Sequence, residues 1–225
     1  MKKPQVDYRN FRLNKLNDKE FSHLKLLSGW IVYFILFFLT EKYIPSNNCY
    51  VVYCKLDDLI PFCEIFVIPY VLWYIFVAGS LLYFVLYNTD SFKKAMIYLL
   101  ILQLSAMVIY IIFPNRQDLR PEVFPRDNFL TDIVRTLYAI DTNTNVCPSM
   151  HVGFSAALMS VWLKEKGVSL WWKVFVGAFA FIICLSISFI KQHSVIDTFA
   201  ALILCVIIEL LVYYKYYMKK LKIIN

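Results

Sequence analysis

Two of the three histidines in this chain stand where they could do chemistry. His193 and Asp197 are four positions apart, so on a helix they share one face about a turn from each other. A carboxylate there accepts a hydrogen bond from one ring nitrogen, fixes the tautomer and leaves the other nitrogen to attack an electrophile. The same pair also suits the capping of a helix start. His151 closes the run Cys147-Pro148-Ser149-Met150-His151. Proline fits the first turn of a helix, and the N–H groups of Ser149 and Met150 are then expected to point outward beside the Ser149 hydroxyl. Such a helix start attracts an anion such as phosphate, although a plain helix-start signal reads the same way. Arg116, Arg120 and Lys191 supply cations nearby in sequence. Arginine grips phosphate oxygens bidentately and lysine offers a compact charge. An oriented imidazole, a helix start that attracts anions and nearby cations together suit phosphoryl transfer. His23, in a basic N-terminal stretch, is read as solvated or interfacial.

These residues come together only if the chain folds back on itself repeatedly, and the composition says how. Of 225 residues, 60% are hydrophobic and 18% aromatic, with a mean hydropathy of +0.59. That exceeds the apolar content of ordinary soluble domains and points to a membrane. About 20 apolar residues in a helix cross a bilayer, and this ruler places spans near 28–44, 66–87, 95–113, 149–163, 172–190 and 195–214. The expected fold is all-α: a single-domain polytopic bundle of six transmembrane helices with a cytoplasmic basic arm over 1–27. With the N-terminus inside, 16 of the 23 Lys and Arg fall on the inner side, against Lys42, Lys55, Arg116, Arg120, Arg126, Arg135 and Lys191 outside. The positive-inside rule then sets both termini in the cytoplasm and both histidines at the outer face. Trp30, Trp162, Trp171 and Trp172 fit an inner aromatic belt.

Two outer connections remain. The first, 45–65, with Asp57, Asp58 and Glu64, reads as an ordinary solvated loop. Its Cys49 and Cys54 are candidates for a disulfide in an oxidising compartment. The second, 114–148, is long enough to be functional. Phe129, Leu130, Ile133, Val134, Leu137 and Tyr138 recur in it at helical spacing behind Asp127 as N-cap, predicting an interfacial helix. That helix either covers the bundle or gates the site. The net charge of +7 is not grouped into a module that reads bases, so nucleic acid is not an expected partner.

Taken together, these motifs resemble the type 2 phosphatidic acid phosphatase (PAP2) superfamily, which includes the vanadium haloperoxidases. Its motifs are Lys-x6-Arg-Pro, Pro-Ser-Gly-His and Ser-Arg-x5-His-x3-Asp. Arg120-Pro121 fits the end of the first, Pro148-Ser149-Met150-His151 the second, and Ser186, His193 and Asp197 the third at full spacing. Phe113 stands at the first motif's lysine and Ile187 at the third motif's arginine, with Arg116 and Lys191 as possible replacements. Met150 for glycine and Lys191-Gln192-His193 are similar to the inositol phosphorylceramide synthase-like branch.

The resemblance implies a lipid phosphate or diphosphate phosphatase with a PAP2/haloperoxidase-like core. In it His193 becomes a phosphohistidine, Asp197 orients it, and His151 serves as acid and then base. Arg120, Arg116, Ser149, Met150, Lys191 and Ser186 would hold the phosphate, with no metal and no cofactor. The expected partners are a lipid phosphate and the bilayer. Transfer of the phosphoryl group to an alcohol, and a catalytically silent transporter or scaffold, are the alternatives.

Overall fold

The computed structural model describes residues 4–44 and 46–224, so residues 1–3 of the basic arm lie outside the described residues. The helices are α1 (Ser28–Tyr43), α2 (Lys55–Leu59), α3 (Val67–Tyr87), α4 (Thr89–Ile112), α5 (Phe129–Ile140), α6 (Met150–Lys164), α7 (Leu170–Phe189), α8 (Val195–Val212) and α9 (Tyr214–Ile224). Two short strands, β1 (Tyr50–Val51) and β2 (Asn115–Arg116), pair in parallel. Helix makes up 72% of the chain.

Helix starts follow local capping chemistry. Asn88 accepts the Ser91 N–H and starts α4 at Thr89, six residues before the predicted 95, because Asp90, Lys93 and Lys94 make its first turns polar. Ser169 caps α7 through the Trp172 N–H. Asn128, not the expected Asp127, caps α5 through the N–H groups of Leu130 and Thr131, while Asp127 pairs with Arg135 at 2.8 Å.

The bundle is apolar on its flanks, and its largely apolar interior also holds buried polar side chains. On α8, Phe199, Ile203, Val206, Leu210 and Leu211 are exposed, whereas Gln103, Ser155 and Asp197 are fully buried. That arrangement suits hydrocarbon as solvent, where each backbone polar group must be satisfied within its own helix. Among the described residues, five helical stretches are long and apolar enough to cross a membrane: Ser22–Tyr43, Glu64–Tyr87, Thr89–Ile112, Leu170–Phe189 and Val195–Val212. The sixth expected span, 149–163, corresponds to α6, whose 15 residues rise only about 22 Å. Packed among α3, α4, α7 and α8, α6 is the bundle's central strut and needs no lipid-length exterior. At Gly153 an added Cβ would lie 2.6 Å from the Leu102 side chain, so α4 and α6 approach closely there.

α4 and α7 end, and α6 and α8 begin, at one end of the bundle, hereafter the site end. At the other end the basic arm is docked. Gln5 Oε1 accepts the Thr89 N–H at 2.8 Å, and Tyr8 Oη pairs with His23 Nε2 at 2.6 Å. His23 is therefore buried instead of solvated. Trp162 is also no belt residue: it is buried and donates to Ser80 Oγ at 2.9 Å.

Both connections at the site end are structured. The segment 45–65 adds β1 and α2, and its Asp57 is buried, contrary to a solvated loop. Cys49 and Cys54 are not disulfide-bonded. In the second connection, Leu130, Ile133, Val134, Leu137 and Tyr138 of α5 pack onto Val67 and Tyr70 at the start of α3. α5 thus covers the bundle.

Candidate active site

The turn after α7 sets the position of His193. Lys191 adopts a left-handed conformation with φ of 55°, and the N–H groups of Gln192 and His193 both donate to the Ile187 carbonyl, at 2.9 and 3.1 Å. This closes α7 in the manner of a left-handed C-terminal cap. Ser194 then starts α8 as the N-cap. Asp197, one turn into α8, accepts through Oδ2 from the Ser194 N–H at 3.1 Å and from His193 Nδ1 at 3.0 Å. A carboxylate acceptor fixes the proton on Nδ1 and leaves the Nε2 lone pair available. From 45–65, Asp57 completes the brace: Oδ2 accepts from Ser194 Oγ at 2.7 Å and Oδ1 from the Val195 N–H at 2.8 Å.

The start of α6 brings the second imidazole. His151 lies between Tyr70 and Trp73, with ring centroids 4.4 and 4.3 Å away. Its ring centroid is 5.8 Å from that of His193. His151 Nε2 and Ser149 Oγ are buried and have no hydrogen-bond partner among the described residues. The expected free N–H of Ser149 is not free: it donates to the Asp197 carbonyl at 3.1 Å, tying the starts of α6 and α8 together. Cys147 stands beside them, and burial pushes its thiol up to about 12, leaving it a neutral bystander.

Both histidines line a cavity of about 660 Å³ that runs between α1 and α3. Asp141, Gln192, Tyr110 and Met150 belong to its polar end, and Phe34, Phe38, Val77 and Leu81 to its apolar length. Asp141 Oδ2 accepts from Tyr70 Oη at 3.0 Å and from Gln192 Nε2 at 2.9 Å. Glu41 of α1 accepts from Thr142 and Thr144 at 2.7 and 2.9 Å, fastening the segment before His151 to α1.

The expected phosphate-binding set is only partly assembled. Among the described residues, no Lys or Arg side chain lines the cavity. Lys191 points away and donates to the Asp57 carbonyl at 2.6 Å, because its left-handed turn directs the side chain toward α2. Arg116 is held by the Ser46 carbonyl at 3.3 Å and by Asp118 at 3.1 Å. Ser186 is turned into its own helix, donating to the Ile183 carbonyl at 2.7 Å. Arg120 comes nearest. It donates to the carbonyls of Tyr138, Asp141 and Thr142 at 3.0, 2.7 and 2.9 Å and stacks on the Tyr138 ring. Its charge stands one peptide layer behind the cavity wall, where burial lowers its proton affinity. Guanidinium nonetheless stays protonated. Ile187 packs in an apolar cluster and Phe113 stacks on Tyr50 at 4.4 Å, so both positions expected to depart from the PAP2 motifs' cations have apolar surroundings.

Sequence reasoning missed Asp57, Tyr70, Gln103, Asp141 and Gln192. Only Gln192, adjacent to His193, lay within a motif already singled out. Comparison with family models, with curated proteins and with solved structures finds no match to this chain.

Proposed function

We propose that this multi-pass membrane protein is a lipid phosphate phosphatase of the PAP2 kind, acting through a phosphohistidine. The observation carrying this reading is the Asp197-oriented imidazole of His193 lying 5.8 Å, ring to ring, from His151 at the polar end of a cavity flanked by apolar helices. In the first step the His193 Nε2 lone pair attacks phosphorus and the bond to the leaving alkoxide breaks. Protonated His151 gives that oxygen its proton, and Asp197 stabilises the new positive charge on His193. In the second step water attacks phosphorus, His151 takes its proton, and the P–N bond breaks to restore His193. The lysine and arginine asymmetry of the sequence supports an extracytoplasmic site end.

A second reading, phosphoryl transfer from a lipid phosphodiester to an alcohol, draws on the cavity's charge. With Asp141 in its wall and Arg120 behind it, the site is better matched to a singly charged diester than to a doubly charged monoester. Purified, chelator-treated protein given a labelled lipid phosphomonoester and, in parallel, a labelled lipid phosphodiester with an added alcohol separates the two. Phosphatase action releases free phosphate, and transfer moves the label to an added alcohol without matching release. His193→Ala and His151→Ala are each expected to lower turnover by about 10²–10⁴-fold while leaving membrane insertion intact. Normal turnover by either variant would sink both readings, and a wild type that turns over neither class of lipid would leave a silent transporter or scaffold.

A further inference from the structure

Deeper in the cavity than His151, three polar side chains lack partners. Gln103 of α4 is fully buried, and neither its Oε1 nor its Nε2 has a hydrogen-bond partner among the described residues. Nε1 of Trp73 and Nε1 of Trp30 are in the same condition. All three residues line the cavity that holds the histidines. Their depth can be read from their neighbours. Trp30 and Trp73 each pack on Phe154 with centroids 5.6 Å apart, and Phe154 lies about 4.5 Å of helix rise beyond His151. Leu102, next to Gln103, lies against Gly153 in the same turn.

Leaving a buried amide unpaired is costly, and polar groups at membrane depth are functional candidates by default. An indole N–H can only donate, whereas a glutamine amide offers two donors and one acceptor. The cluster is therefore rich in donors and suited to a carbonyl oxygen. A purely hydrocarbon tail has nothing to offer it. In an acylated lipid phosphate, a short oxygen–carbon–carbon–oxygen run separates phosphorus from an acyl carbonyl, comparable to the single helical turn that separates His151 from Phe154, on which both indoles pack.

We propose that Gln103, with the indoles of Trp30 and Trp73, recognises an acyl carbonyl of the lipid, selecting acylated lipid phosphates over ether-linked or isoprenoid ones. This rests on the reading of the cavity as the lipid phosphate site. The test measures binding of dioleoyl phosphatidate and of its ether-linked analogue with equal chains, by native mass spectrometry in detergent, alongside turnover of both. Wild type should bind the ester roughly tenfold more tightly. Gln103→Leu should weaken ester binding roughly tenfold, leave ether binding unchanged and bring the ratio near one. Trp73→Phe, which keeps a ring against His151, should shrink the ratio part of the way.

Equal binding of the two lipids by wild type, or a Gln103→Leu loss shared equally between them, overturns the proposal. If Gln103→Leu does not fold, the wild-type ratio and Trp73→Phe decide. Ester-selective binding without turnover would overturn the phosphatase reading and leave the carbonyl site standing. Turnover without ester preference would remove the carbonyl site alone.

Discussion

At the scale of single residues, one oxygen resolves an ambiguity that the sequence left open. Asp197 Oδ2 accepts from the Ser194 N–H and from His193 Nδ1 at once, so capping and orientation of the imidazole are one structural act. Lys191 shows the opposite outcome, a cation two positions from His193 whose charge is directed to the Asp57 carbonyl. Its φ of 55° is a conformation costing an L-residue about 1–2 kcal/mol and a glycine almost nothing. In Lys191→Gly, relief of that strain should offset the lost hydrogen bond, keeping thermal stability within about 1 kcal/mol of wild type. Its KM for a lipid phosphate should stay within about threefold, because no phosphate contact is removed. Lys191→Val, branched at Cβ, should unfold at lower temperature. A tenfold or larger rise in KM for Lys191→Gly would return this lysine to the phosphate site.

At the scale of elements, the segment 45–65 acts as a brace for the start of α8. Asp57 accepts from Ser194 Oγ, the Val195 N–H and the Cys54 N–H. Asp57→Ala strands one buried and two half-buried donors at an expected loss of about 1–3 kcal/mol, read as a lower melting temperature in detergent. Because Ser194 adjoins His193, kcat should fall with it, while Asp57→Asn, which retains an acceptor, should recover part of both. An Asp57→Ala enzyme with lowered stability but unchanged kcat would show that the brace does not position the imidazole. This brace was hidden in the sequence because 137 positions separate Asp57 from Ser194 and nothing local links the two. The long helices were legible for the converse reason: hydrocarbon demands unbroken apolar runs, and five such stretches are present. Apolarity alone does not tell that α6 is shorter than the other long helices and packs among α3, α4, α7 and α8. The two histidines were legible because alternating helices must return them to one end. Gln103 and Trp73 were not, since each sits within an apolar run whose neighbours only folding supplies.

At the scale of the whole molecule, the cavity offers a route by which the proposed reaction centre would be reached from an apolar surround. α1 packs on α4, and α3 packs on α4, α6 and α7, so the cavity lies between α1 and α3 with walls from both. Phe34, Phe38 and Tyr74 line it and are exposed on the bundle's flank, where a bilayer would meet them. A lipid can therefore keep its chains beside the bundle while its headgroup lies against His151 and His193. Ala78 of α3 is exposed and lines the same passage. Ala78→Trp would fill part of the passage without touching either imidazole. For a phosphatidate with long chains, kcat/KM should fall by about tenfold or more, whereas a short-chain, water-soluble analogue should be turned over within about threefold of the wild-type rate. The comparison isolates the route from the chemistry, since both substrates present the same phosphate to the same dyad. An equal loss on both substrates would mean that the tryptophan disturbs the site itself, and no loss on either would mean that the lipid enters elsewhere.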